Sequence, residues 1–135
     1  MLDTPGSIID DSDDHPHEEW GIVGAFVPGE SVARTAFFGL FALQQRGQES
    51  AGIATSEGDK INLKAKMGLV SQVFREETLA TLPGHVGIGH TRYSTMGRSK
   101  EYNAQPLLAE GQRGQIAVGH NGNVINAADL RVEMA

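Results

Sequence analysis

Three polar clusters in this 135-residue chain carry side chains able to do chemistry. The first is Leu43-Gln44-Gln45-Arg46-Gly47-Gln48-Glu49-Ser50-Ala51-Gly52-Ile53. The second is Gly89-His90-Thr91-Arg92-Tyr93-Ser94-Thr95-Met96-Gly97, followed closely by Asn103-Ala104-Gln105-Pro106-Leu107, and the third is Gly119-His120-Asn121-Gly122-Asn123. Taken singly, each has a structural reading: Arg92 as a surface ion-pair residue, Asn121-Gly122 as a hairpin turn. Taken together they suggest one reaction. Arg92 presents a forked donor that matches a small-molecule carboxylate, with Thr91 and Thr95 as flanking hydroxyls. Asn121 and the backbone N–H of Gly122 can both donate to a developing oxyanion, and the missing side chain at Gly122 permits close approach. Such a site binds an amino acid and cleaves an amide.

Other chemistries lack their signatures. There is no G-x-x-x-x-G-K-[ST] phosphate loop and no H-E-x-x-H pair, and Ser50 sits in Gln48-Glu49-Ser50-Ala51-Gly52, which is not a nucleophile elbow. The chain has no cysteine, so it holds no disulfide, cysteine-ligated metal centre or thiol nucleophile of its own. His15-Pro16-His17 is two imidazoles without further ligands nearby and reads as solvated linker, so no metal site is expected.

The elements that must position these clusters are legible in outline. Gly21–Val27 reads as a buried strand ended by Pro28-Gly29. Ser31 is placed to cap a helix over 32–46, in which Val32, Ala36, Leu40 and Leu43 form an apolar face widened by Phe37 and Phe41. Ala51–Ser56 and Lys60–Met67 read as a hairpin around Glu57-Gly58-Asp59. A second helix is expected over 71–82, stopped by Pro83-Gly84, and His85–Arg92 and Gln115–His120 are short strand candidates. A last helix begins near Asn126 and runs to Ala135 without a stop signal, which suggests a truncated domain. More strands than helices, with apolar runs on several strands, point to a layered α/β sandwich with sheets buried on both faces.

Charge divides the chain. Of 17 acids, seven (Asp3, Asp10, Asp11, Asp13, Asp14, Glu18, Glu19) fall in residues 1–19, which hold no Lys or Arg; residues 20–135 hold 10 acids and 11 bases. The formal charge of −6 is therefore a property of the leader, which its Asp, Ser, Pro and His content marks as disordered. No basic stripe with interleaved aromatics suggests nucleic acid, and no run approaches the roughly 18 apolar residues of a membrane span. An acidic leader is neither a signal nor a transit peptide, so a cytoplasmic protein is expected.

In order, Gly21-Ile22-Val23-Gly24 and the three clusters resemble the N-terminal glutaminase domain of the amidophosphoribosyltransferases, a family of class II glutamine amidotransferases. The likeness covers residues 20–135. Gln-Arg-Gly-Gln-Glu, Thr-Arg-Tyr and Asn-Ala-Gln-Pro distinguish this pattern from sister glutaminases. The resemblance implies a four-layer α/β/β/α sandwich of the N-terminal-nucleophile hydrolase type, incomplete in this chain. It implies hydrolysis of glutamine, with ammonia passing to a phosphoribosyltransferase domain that lies outside this sequence. It assigns Arg92 and Thr95 to the glutamine carboxylate, Asn121 and Gly122 to the oxyanion hole, and Arg46 to the wall of the site. Family members are homo-oligomers, with Mg in the transferase domain and in some members an iron–sulfur cluster. In this family an acidic propeptide is removed to expose a cysteine as residue one, because a free α-amine titrating near ~8 serves as base for its own thiol. Glu18-Glu19 resembles the end of such a propeptide, but the next residue is Trp20. An indole has no nucleophilic heteroatom, so the chain is expected to be inactive, and a non-catalytic glutamine-binding module is the alternative reading. Gln45, where the family commonly has His, is a milder departure.

Overall fold

A computed structural model describes residues 20–44, 48–93, 101–122 and 124–135. The leader, Arg46 and Thr95 lie outside the described residues. A four-stranded antiparallel sheet is built from β1 (Trp20–Phe26), β2 (Gln48–Ser56), β3 (Ile61–Met67) and β4 (Val86–Tyr93), in the order β1-β4-β2-β3. The expected hairpin joins β2 to β3, with Gly58 at φ +135°, a conformation a side chain would resist.

One face of this sheet carries the core. The helix α1 (Val32–Leu43) lays Val32, Ala33, Ala36 and Leu40, all fully buried, across it. Small residues on the strands admit the helix closely: a Cβ on Gly89 would stand 2.9 Å from Leu40 Cδ1, and one on Gly87 would stand 3.0 Å from Val32. Ala51 and Ile53 of β2 join this cluster with Val70, Val73, Phe74, Leu79 and Leu82.

Three expectations need correction. Ser31 sits at the start of α1 but makes no side-chain cap; the Val32 N–H instead donates to Gly84 O at 3.0 Å, so a neighbouring loop supplies the partner. The helix expected over 71–82 is two single turns, α2 (Val70–Val73) and α3 (Glu76–Leu79), broken at Phe74 and Arg75, which take extended backbone while Phe74 stays buried. β1 is not buried on both faces: Gly21, Val23 and Ala25 turn toward α1, whereas Ile22 and Phe26 on the other face are 44% and 65% exposed.

That second face is partly overlaid by a hairpin of β5 (Leu107–Gly111) and β6 (Gly114–Val118). The sequence reading missed β5, which is exposed along its whole length and so lacks the alternation that marks a half-buried strand. Gln115 Oε1 accepts from the Ile61 N–H at 2.8 Å, and Ala117 closes an apolar cleft of about 160 Å³ with Ala54, Ile61, Val86 and Ile88. A helix, a sheet and the beginning of a second sheet are thus three successive layers of the α/β/β/α sandwich. The exposed helix α4 (Ala127–Glu133) follows, and among the described residues no helix is long and apolar enough to cross a membrane.

Candidate functional site

Position 20 and Arg92 lie on the sheet face opposite α1, whereas Thr91, expected as a flanking hydroxyl, pairs with Gly21 and Ala51 and is buried on the α1 face, so it does not join them. Strand register sets two rows on the Arg92 face, because directly paired residues share a face. One row runs Trp20, Arg92, Ser50 and Met67; the next runs Ile22, His90, Gly52 and Ala65. The Arg92 guanidinium carbon lies 5.4 Å from the centre of the Trp20 indole, within cation–π range. The same indole meets the His90 ring edge-on at 5.9 Å. Arg92 Nε and Ser50 Oγ are buried with no hydrogen-bond partner among the described residues, so this corner holds unused donors beside a cation.

The third cluster approaches from above. His90, fully buried, lies with Nε2 3.1 Å from the carbonyl oxygen of His120. A carbonyl can only accept, so Nε2 carries the proton and Nδ1, which has no partner among the described residues, is the bare nitrogen. The backbone N–H of His120 donates to Gln105 Oε1 at 2.6 Å. Asn121 and Gly122 follow directly, with Gly122 at φ +137°. Trp20 and Arg92 thus share one patch beside His90, and Asn121-Gly122 continues from the His120 carbonyl that His90 holds, while Arg46 and Thr95 lie outside the described residues.

Part of the first cluster has a structural task. Gln48 donates from Nε2 to Gly68 O at 2.7 Å and accepts at Oε1 from the Val70 N–H at 3.1 Å, which fixes the turn into α2. Gln44 Oε1 accepts from the same Val70 N–H at 3.1 Å. The sequence reading gave no role to His90, Gln105 or Gly52. The available signal was a histidine at a sheet-facing position among the small residues of Val86-Gly87-Ile88-Gly89.

Burial pushes the His90 pKa below the ordinary 6.5, and the positive charges of Arg92 and His120 push the same way against the hydrogen bond to the His120 carbonyl. The unfolded chain therefore takes up this proton first on acidification. The stabilisation is complete above about pH 6.5 and is lost as pH falls from there toward the lower folded-state value. Urea midpoints measured from pH 7.5 to 5 should fall for the parent, and fall less for His90→Phe; equal slopes would contradict this.

No protein-family model matches the chain. Curated relatives do match. The amidophosphoribosyltransferase of Synechococcus elongatus is 55% identical over 121 residues, covering 90% of this chain and 24% of that protein. Those of Mycobacterium tuberculosis and Methanocaldococcus jannaschii are 53% and 50% identical, covering 85% and 77% of this chain and 22% of each relative. Among solved structures, the glutamine phosphoribosylpyrophosphate amidotransferase of B. subtilis, complexed with ADP and GMP, superposes with a TM-score of 0.68 at 37% identity, covering 85% of this chain and 24% of that one. A structure described as the allosteric regulatory enzyme of purine biosynthesis gives a TM-score of 0.71 at 39% identity over the same shares. By sequence and by fold, the chain is a relative of the amidophosphoribosyltransferases with the N-terminal-nucleophile hydrolase fold, and it spans about a quarter of their length.

Proposed function

We propose that this chain is the glutaminase portion of an amidophosphoribosyltransferase, the part that releases ammonia from glutamine for 5-phosphoribosylamine formation from phosphoribosylpyrophosphate in purine synthesis. The observation that carries the reading is that Arg92 and position 20 share one sheet face with His90, which holds the His120 carbonyl from which Asn121-Gly122 continues. Arg92, helped by Thr95, holds the glutamine carboxylate, while Arg46 shapes the wall. With cysteine at position 20 and its α-amine free, the thiol gives its proton to that amine and attacks the carboxamide carbon. Asn121 and the Gly122 N–H hold the resulting oxyanion. The protonated amine then gives its proton to the departing ammonia, and water hydrolyses the thioester. Trp20 supplies none of the covalent steps, so this chain does not turn over.

Glutamine and the phosphoribosyltransferase segments are the partners under this reading, in a cytoplasmic homo-oligomer. Among the described residues no group of three or more His, Cys, Asp or Glu side chains could hold a metal, and the whole chain offers an iron–sulfur cluster no thiolate. The Mg, and a cluster where members carry one, belong with the other segments of the family enzyme.

A second reading, a glutamine-binding module without chemistry, rests on the missing nucleophile at position 20 and requires the indole to leave glutamine room beside Arg92. On the first reading the indole, 5.4 Å from the Arg92 guanidinium carbon, stands where the glutamine would sit, which predicts no thermal stabilisation of the parent by glutamine. Trp20→Ala should gain it, about 2.7 kcal/mol at a hundredfold excess over Kd. The added Arg92→Ala change should remove it. Glutamine stabilisation of the parent that vanishes in Arg92→Ala would favour the module; no gain in Trp20→Ala would count against a pocket at all.

A further inference from the structure

We infer that His90 and Gln105 are positioning residues that clamp the peptide groups on both sides of His120 and thereby aim the Asn121-Gly122 segment at the Arg92 patch. The carbonyl of His120 accepts from His90 Nε2 at 3.1 Å, and its N–H donates to Gln105 Oε1 at 2.6 Å. A peptide unit is planar, so the first bond also fixes the direction of the Asn121 N–H, and the second fixes the preceding plane. Only a few soft dihedrals then separate the clamp from the Gly122 N–H.

The two anchors are themselves held. His90 is fully buried between β1 and β2, with the Trp20 ring against it. Gln105 is seated on Gly52: a Cβ there would stand 2.0 Å from the Gln105 carbonyl oxygen, an approach open only to glycine. Two residues fifteen apart in sequence, one of them seated on Gly52, thus converge on a segment that no strand pairing holds among the described residues. Donors for an oxyanion help only if they are placed before the charge develops, which gives such a clamp its use. That use rests on the glutaminase reading; the clamp itself does not.

The test is backbone ¹⁵N relaxation at Asn121 and Gly122 in the full chain, with four variants. His90→Phe keeps bulk and removes the donor, and His90→Gln restores an N–H. Gln105→Met removes the acceptor, and Gln105→Glu restores it. Parent order parameters should be near the rigid-backbone value of ~0.85 and should fall below ~0.6 in His90→Phe and in Gln105→Met, with recovery in His90→Gln and Gln105→Glu and no change in β2 or β4. Should His90→Phe fail to fold, the Gln105 pair decides alone. Mobile Asn121 and Gly122 amides in the parent, unchanged values in the Met variant, or no recovery in the restoring variants would overturn the clamp. A glutamine titration of Trp20→Ala is scored separately, so the clamp can stand while the glutaminase reading falls, and the reverse.

Discussion

Glutamine hydrolysis by this chain is expected to stay at the uncatalysed background, on the order of 10⁶-fold below a competent site by analogy with nucleophile removal in a serine protease. Two independent effects act at one position. Trp20 offers an indole N–H donor and no atom that can form a thioester, so the covalent route is closed. Its ring also stands 5.4 Å from the Arg92 guanidinium carbon and 5.9 Å from the His90 ring, occupying the space beside the carboxylate donor. Reaction needs the carboxamide carbon within ~3–3.5 Å of the attacking atom, which leaves no room for a bicyclic side chain at that point. Ammonia release measured by a coupled assay at saturating glutamine checks this, and turnover above buffer that disappears in Arg92→Ala would contradict it.

Gly52→Ala is expected to be the most damaging small substitution in the described sheet. Its new methyl would stand 2.0 Å from the Gln105 carbonyl oxygen, 2.7 Å from the Gln105 carbonyl carbon and 2.8 Å from Ala65 Cβ. Alanine has no rotamer to adopt and two of the obstacles are backbone, so relief requires the 105 segment to lift from the sheet. Overpacking of this kind costs about 1–3 kcal/mol, occasionally more, and lifting Gln105 also loosens its bond to the His120 N–H. Gly24→Ala is the matched control, because its Cβ would meet nothing within 4 Å. Urea midpoints should separate the two variants clearly. Equal stability would mean that the close seating of Gln105 on Gly52 is absent in solution.

What the sequence revealed follows from where each signal is stored. The apolar steps of Val32, Ala36 and Leu40 repeat within a few residues, and the Gly58 turn announces its hairpin locally, so α1, β2 and β3 were legible. Arg92 and Asn121-Gly122 stand out in the sequence because the chemistry proposed for them is written in residue type. β5 escaped because no burial periodicity marks it, and the break at Phe74 was set by tertiary burial of that ring rather than by any local breaker. His90 and Gln105 escaped for another reason: their partners are the backbone groups of His120, 30 and 15 residues away, and backbone partners leave no trace in composition.

Covalent capture at position 20 tests most directly the claim that this patch is a glutamine site with its nucleophile replaced. The native chain has no cysteine, so a variant trimmed to begin at position 20 with Trp20→Cys carries a single thiol. Incubation with a glutamine-shaped electrophile, read by intact and peptide mass spectrometry, should give one adduct at Cys-for-Trp20, slowed by excess glutamine and lost with Arg92→Ala. Labelling that ignores both glutamine and Arg92, or no labelling of a folded variant, would contradict the account.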